Sequence, residues 1–165
     1  MNQLLCASTF LATLGCALMA GLFFTFLNFV MKALGNLPPA KGIAAMQSIN
    51  VAVLSPLFLS IFMGTAIVCL ILAIFSIARW HEPASGWLLT GALLYIIGTF
   101  LVTMLFNVPL NNALLAVNAD SAEAIRVWRD YLSRWTAWNH VRTVTSLAAT
   151  ASLITALGQL RQLLR

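Results

Sequence analysis

The chain has 165 residues, 61% of them hydrophobic and only 8% charged, with a formal net charge of +5. Soluble domains run nearer half apolar and a quarter charged, so this much apolar surface cannot close into one soluble core; the composition is that of an integral membrane protein with a single small domain over residues 1–165. The positive balance comes from a shortage of acids rather than from a basic tract, which excludes a nucleic-acid-binding stripe and points to basic residues flanking membrane spans.

Four apolar runs follow one another along the chain. The first goes from Leu4 to about Met31; it lacks a basic leader and a cleavage site and is longer than a signal-peptide core, so it reads as a retained span. Cys6 and Cys16 lie in it about 15 Å apart at 1.5 Å per residue, too far to bridge. With Cys69 in the second run and no CxxC, the three thiols read as small buried hydrophobes. KALGNLPPAKG, rich in breakers, reads as a loop. The second span runs from about Val51 to Ala78 and ends at Arg79, and HEPAS makes a tight turn. The third starts at Gly86 and ends near residue 112, with NVPLN in its last turns. The fourth goes from about Trp135 to Gln162. Each exceeds the roughly 20 residues that cross the hydrocarbon, and in lipid such segments must be helices. The small residues Ala17 with Gly21, Gly91 with Gly98, and Ser152 with Ala156 suit close helix contacts.

Residues 121–134 predict a further helix before the fourth span. Asp120 can cap it, with Glu123 at the capping-box position. Ile125, Trp128, Leu132 and Trp135 share one face and the charged residues take the others, as in a helix lying on the membrane surface. No Pro or Gly interrupts residues 121–157, so nothing stops this helix running straight into the span. Trp128, Tyr131, Trp135 and Trp138 look like an interfacial aromatic belt. The fold class is therefore all-α: an integral membrane four-helix bundle with a short interfacial helix before the fourth span. Basic residues are denser close to the termini and second loop but more numerous on the other side. Density favours both termini in the cytoplasm, with the bundle in the cell membrane.

Antiparallel spans bring the end of the first, the start of the second, the end of the third and the start of the fourth to one side. There lie Asn28, then Gln47 and Asn50 in MQSIN, then Asn107 and Asn111, then Asn139, His140 and Arg142. Asn107 and Asn111 are four apart and share a face. Pro109 between them cannot donate a backbone bond, which opens the Leu105 carbonyl. Asn139, Arg142, Thr143, Ser146 and Thr150 form a stripe with Trp135 above it and His140 at its edge. A stripe holding a cation faces the bundle interior or a wet cavity. The plainer alternative is that amides tie helices together at about 0.6 kcal/mol per pair, with Arg142 snorkelling to phosphates. A histidine, an arginine and several amides at one end exceed what such a bundle needs for glue.

The spans contain no Asp or Glu, which argues against a carboxylate proton relay or a carboxylate di-metal site. His81 and His140 fall on opposite membrane sides, roughly 30 Å apart, so they cannot share a metal or haem. No nucleotide-binding motif is present, no acid lies near His140 for a triad, and no metal site is expected. What remains is one titratable histidine, one fixed cation and several amides. That set suits proton abstraction from a carbon acid with charge stabilisation, and equally a binding pocket without chemistry.

MQSIN, NVPLN at the end of the third span, and the W…Y…WTAWNHVRT stretch together resemble an anthrone-oxygenase-like membrane family, also catalogued as a domain of unknown function. The resemblance covers nearly the whole chain from VMKAL onward, and NVPLN followed by WNHVRT is its specific part. It implies a small four-helix membrane protein; fungal relatives oxidise polyketide anthrones to anthraquinones with molecular oxygen and no obvious cofactor. The motif positions are Asn107, Pro109, Asn111, Trp135, Asn139, His140, Arg142 and Thr143.

The expectation is an oxygenase-like membrane enzyme for a flat lipophilic phenol, quinone or polyketide-type molecule. His140 deprotonates the substrate, and Arg142 with Asn107, Asn111 and Asn139 holds the anion. Thr143, Trp135, Asn28 and Asn50 complete the substrate-binding set. No cofactor is expected, with haem, flavin and copper left open. Expected partners are membrane lipid and a small lipophilic ligand, with a homo-oligomer left open and no nucleic acid. The rival is a non-enzymatic membrane protein, either a lipophile-binding module or an accessory subunit. A transporter is disfavoured by four spans without a charged path.

Overall fold

The computed structural model describes residues 2–162. They form five helices: α1 (Gln3–Gly35), α2 (Pro39–Ala52), α3 (Pro56–Ala78), α4 (Ser85–Leu115) and α5 (Ala122–Gln162). There is no strand among the described residues. All but α2 are long and apolar enough to cross a bilayer. They pack in a ring in which α1 and α4 each touch both α3 and α5. The outside of the ring is apolar, with Leu11, Leu18, Ile67, Ile71, Ile97, Leu147 and Ile154 exposed. That inverts a soluble protein and matches a hydrocarbon surround.

Helix lengths explain the shape. The 23 residues of α3 span about 35 Å at 1.5 Å per residue, close to the roughly 30 Å of hydrocarbon. The 33 residues of α1, 31 of α4 and 41 of α5 all exceed it. Gly15 faces Thr65 and Gly91 faces Leu153. Counting from those pairs along antiparallel helices, the start of α1, end of α3, start of α4 and end of α5 come to one level. A tight turn closes that side: Ser85 Oγ donates to the Arg79 carbonyl at 2.6 Å, and Arg79 pairs with Glu82 at 2.9 Å. The surplus length of α1, α4 and α5 therefore projects from the opposite side, beyond the start of α3.

That projection is a cap with its own core. Met31 and Leu34 of α1, Ile43 and Met46 of α2, Leu114 of α4, and Ala124, Trp128, Tyr131 and Trp135 of α5 bury one another. The bundle core below is separate, centred on Cys16, Phe62, Cys69, Leu88, Tyr95 and Leu153. The small-residue contacts fall partly where expected. Gly91 and Gly98 let α4 approach Leu153 and Thr145 of α5, and Ser152 and Ala156 are buried. Ala17 and Gly21 face outward, and Gly15 makes the close approach of α1 to α3 instead.

Several sequence expectations are corrected. The breaker-rich first loop holds the 14-residue helix α2, because Pro39 falls in its first turn, where a missing N–H matters least. MQSIN lies on α2, so α3 starts at Pro56 rather than Val51; Ser55 Oγ caps it, accepting from the Phe58 N–H at 3.3 Å. The third span continues through Pro109 to Leu115. Residues 121–134 are the first turns of α5, and the cap is Ser121, whose Oγ accepts from the Ala124 N–H at 3.2 Å, not Asp120. This stretch is continuous with the fourth span rather than a separate helix. α2 covers its apolar face, so Trp128, Tyr131 and Trp135 are core residues rather than an interfacial belt, and only Ile125 of the expected face is largely exposed.

The close approach at Gly91 can be tested against an open glycine. A Cβ at Gly91 would meet Leu153 Cγ at 2.8 Å and the Ala149 carbonyl at 3.2 Å, whereas one at Gly64 meets nothing within 4 Å. Gly64→Ala is expected to raise stability by up to about 1 kcal/mol through helix propensity. Gly91→Ala is expected to lower it by about 1–3 kcal/mol through overpacking, both read as thermal midpoints in detergent by circular dichroism.

Candidate functional site: a donor-lined cavity under the cap

Where α3 begins, the ring of four helices passes into the cap, and a cavity of about 130 Å³ lies at the junction. Met46, Ile49 and Asn50 of α2 cover it. Phe23 and Phe26 of α1 and Phe58 and Phe62 of α3 wall it, and Thr103, Val108 and Asn111 of α4 and Trp135 and Arg142 of α5 close it. The helices are irregular here. α1 is π-helical over Phe26–Val30, and α4 over Leu94–Leu101 and Thr103–Asn107. The Met31 N–H bonds the Phe26 carbonyl and the Val108 N–H bonds the Thr103 carbonyl, each five residues back. The second of these widened turns leads directly into Pro109, whose ring could not continue a tight α-helical ladder.

Arg142 is the centre of the site. It is 4% exposed, yet the ion pairs among the described residues are Arg79–Glu82, Arg126–Glu123 and Arg134–Asp130, and none includes it. Its Nη2 donates to Asn139 Oδ1 at 2.8 Å and its Nη1 reaches Thr103 Oγ1 at 3.4 Å. Its Nε has no partner. The guanidinium carbon stands 4.2 Å from the Phe23 ring centre and 4.9 Å from that of Trp135. Such cation–π contacts offset part of the desolvation of a buried cation, but they do not neutralise it.

The amides divide into supports and free donors. Asn139 Nδ2 donates to the Phe23 carbonyl at 2.9 Å while its Oδ1 takes Arg142, so it ties α1 to α5 and fixes the guanidinium. Asn107 Nδ2 donates to the Trp135 carbonyl at 3.2 Å; fully buried, it braces α4 against α5 without lining the cavity. Asn111 does line it. Its Oδ1 accepts from Tyr131 Oη and Trp135 Nε1, both at 2.8 Å. Two donors on one oxygen set the amide's orientation and leave Nδ2 without a hydrogen bond among the described residues. Asn50 is buried at the cavity with its Nδ2 unpartnered. Two buried N–H groups on residues that line the cavity thus lack acceptors, Arg142 Nε and Asn50 Nδ2.

Of the residues singled out from sequence, the structure brings Arg142, Asn111, Trp135 and Asn50 to the cavity, with Asn139 and Asn107 behind them. Thr143 is buried but bonds its own helix at the Asn139 carbonyl, 2.8 Å away. Asn28 and His140 are exposed and do not line the cavity. His140 is two residues from Arg142, about 200° round an α-helix at 3.6 residues per turn, so it faces outward where Arg142 faces in. The general-base role expected for His140 therefore has no geometric footing. Gln47 is a cap: its Nε2 donates to the Leu114 and Val117 carbonyls at 2.8 and 3.0 Å, satisfying the end of α4. The sequence reading missed Thr103 and Tyr131. Thr99, Thr103, Asn107 and Asn111 recur every four residues along α4, a signal that could have found Thr103. Among the described residues no three His, Cys, Asp or Glu side chains gather as metal ligands.

The family model for anthrone oxygenase matches residues 58–152, more than half of the chain. The protein belongs to the anthrone oxygenase family. The matched stretch carries the α4 and α5 parts of the cavity, including Thr103, Asn111, Trp135 and Arg142 of this anthrone oxygenase family member. Phe23 of α1 and Asn50 of α2 lie outside it. No curated protein and no solved structure matches the chain.

The shared acceptor at Asn111 yields a direct test. Asn111→Leu strands two buried donors and is expected to destabilise by about 1–3 kcal/mol. Tyr131→Phe removes one of them, so in the double variant the two losses should be clearly less than additive, measured as a double-mutant cycle of thermal stabilities in detergent.

Proposed function

We propose that this protein oxidises a flat, lipophilic phenol, hydroquinone or anthrone-type molecule with molecular oxygen, holding the substrate as its oxyanion. The observation that carries this reading is the buried guanidinium without a carboxylate at the wall of an apolar cavity, with the buried amide N–H of Asn50 also lacking an acceptor. A cavity of this volume admits about one aromatic ring among Phe23, Phe26, Phe58 and Phe62, and a phenolate or enolate oxygen supplies the acceptor and the negative charge the donors lack. No carboxylate, histidine or thiol lines the cavity. The protein's part is then to favour the ionised substrate, whose proton passes to water. The electron-rich carbon reacts with O2; for a methylene flanked by aromatic rings, one oxygen atom becomes the new carbonyl and the other leaves with the two hydrogens as water. The reading calls for no resident cofactor, and metal analysis with a visible spectrum of the purified protein checks that.

The lack of a base in the lining also favours a second reading, a lipophile-binding protein without turnover. The two differ in oxygen uptake. For cellular placement we propose the cell membrane with both termini cytoplasmic, on the density of basic residues close to that side, testable with reporter fusions at either end.

With 1,8-dihydroxyanthrone as probe, oxygen consumption should rise with pH as the probe itself ionises. Arg142→Lys keeps a charge but loses the planar fork, and it is expected to lower kcat/KM by about 10² to 10³ in the folded protein. His140→Gln and His81→Ala, both at exposed positions, should keep wild-type rates and the same pH profile. A pH dependence abolished by His140→Gln would return the base to that residue. Saturable binding without oxygen uptake would select the binding protein.

A further inference from the structure

The cavity has a polar inner end and an apolar outer one. Its lining includes Leu54, Leu59, Met63 and Met104, which are between 38% and 61% exposed on the outside of the molecule. Leu54 sits in the elbow joining α2 to α3, Leu59 and Met63 on the first turns of α3, and Met104 on α4. The opening is therefore lateral, between the start of α3 and the later part of α4. Met63 is seven residues past Pro56, about 10 Å along a helix whose length matches the hydrocarbon. No polar or charged side chain stands among these four. Leu57 and Leu105 nearby are exposed and apolar as well.

We propose that this opening is a lateral entrance, through which the protein takes its substrate from solution in the bilayer rather than from water. This rests on the oxyanion reading of the cavity and specifies how the site is reached and by what: an amphipathic aromatic whose hydroxyl leads inward to Arg142 and Asn50 while its apolar remainder, including any alkyl substituent, trails into lipid. The polarity gradient sets that orientation. A molecule entering from water would meet four apolar side chains at the rim. One dissolved among acyl chains crosses a rim of its own polarity and meets the first unpaired donors only inside.

The test uses the full chain in phosphatidylcholine vesicles, with 1,8-dihydroxyanthrone added at known mole fraction and its association followed by stopped-flow quenching of tryptophan fluorescence. Changing the amount of lipid at fixed total probe separates bilayer from aqueous concentration. The association rate should follow the mole fraction in the bilayer. Met104→Trp and Leu59→Trp narrow the rim without touching the donors and should slow association about tenfold. Ile97→Trp adds the same bulk to an exposed lipid-side position that does not line the cavity and should leave it unchanged. Retained thermal stability shows that the rim variants are folded, and the paired substitutions guard against one of them failing. An association rate that follows aqueous concentration, or wild-type rates in both folded rim variants, overturns the entrance while leaving the oxyanion site standing. Binding that is unaltered by Arg142→Gln and Asn50→Ala, or no saturable binding by the wild type, removes the oxyanion reading and the entrance with it.

Discussion

A guanidinium held in an apolar bundle without a carboxylate is the constraint around which this protein is arranged. Burying such a charge is unfavourable unless its surroundings supply compensating dipoles. Asn139 supplies one and is itself pinned by the Phe23 carbonyl; Thr103 supplies a weaker one, and the faces of Phe23 and Trp135 supply the rest. These contacts come from α1, α4 and α5, so holding the cation and holding three helices together are one task. No carboxylate neutralises the charge.

The cavity exists because α3 is shorter than its neighbours. If α3 continued upward beside α1, α4 and α5, the ring would stay four-membered and its core would be filled. Ser55 and Pro56 instead start α3 late, and α2 crosses above it. Both α2 and α3 then contribute side chains to the cavity wall. The π turn of α1 and the second of α4 both border the cavity. Widened turns of this kind interrupt the regular ladder and are frequent at functional sites. In α4 they also suit the polar spacing. A four-residue step drifts forward round α turns and backward round π turns, so mixing them keeps Thr99, Thr103 and Asn107 in one stripe toward α5, bonded to Ser146, Arg142 and the Trp135 carbonyl.

The aromatic residues before the fourth span show how one sequence pattern admits two uses. Trp128, Tyr131 and Trp135 stack with centroids 5.7 and 5.8 Å apart. At a membrane surface their apolar faces would meet lipid headgroups. Here α2 meets them: Gly42 lies against the Trp128 ring. Stacking places Tyr131 Oη and Trp135 Nε1 on one oxygen of Asn111, and so the cap orients an amide of the cavity.

Membrane class, four spans and the gathering of polar residues at one end were all legible in the sequence, because they follow from local quantities: apolar run length, the absence of acids within spans, and the alternation of direction from helix to helix. Arg142 and Asn139 were legible as an inward face, since their three-residue spacing on a long unbroken helix admits little else. What only the tertiary structure decided is which polar groups meet. His140 is as close to Arg142 in sequence as any candidate base, yet it turns outward once the register of α5 against α1 is set by the bond from Asn139 to Phe23. The helix α2 likewise packs on partners far away in the chain, where its Ile43 and Met46 help bury Trp128, Tyr131 and Trp135.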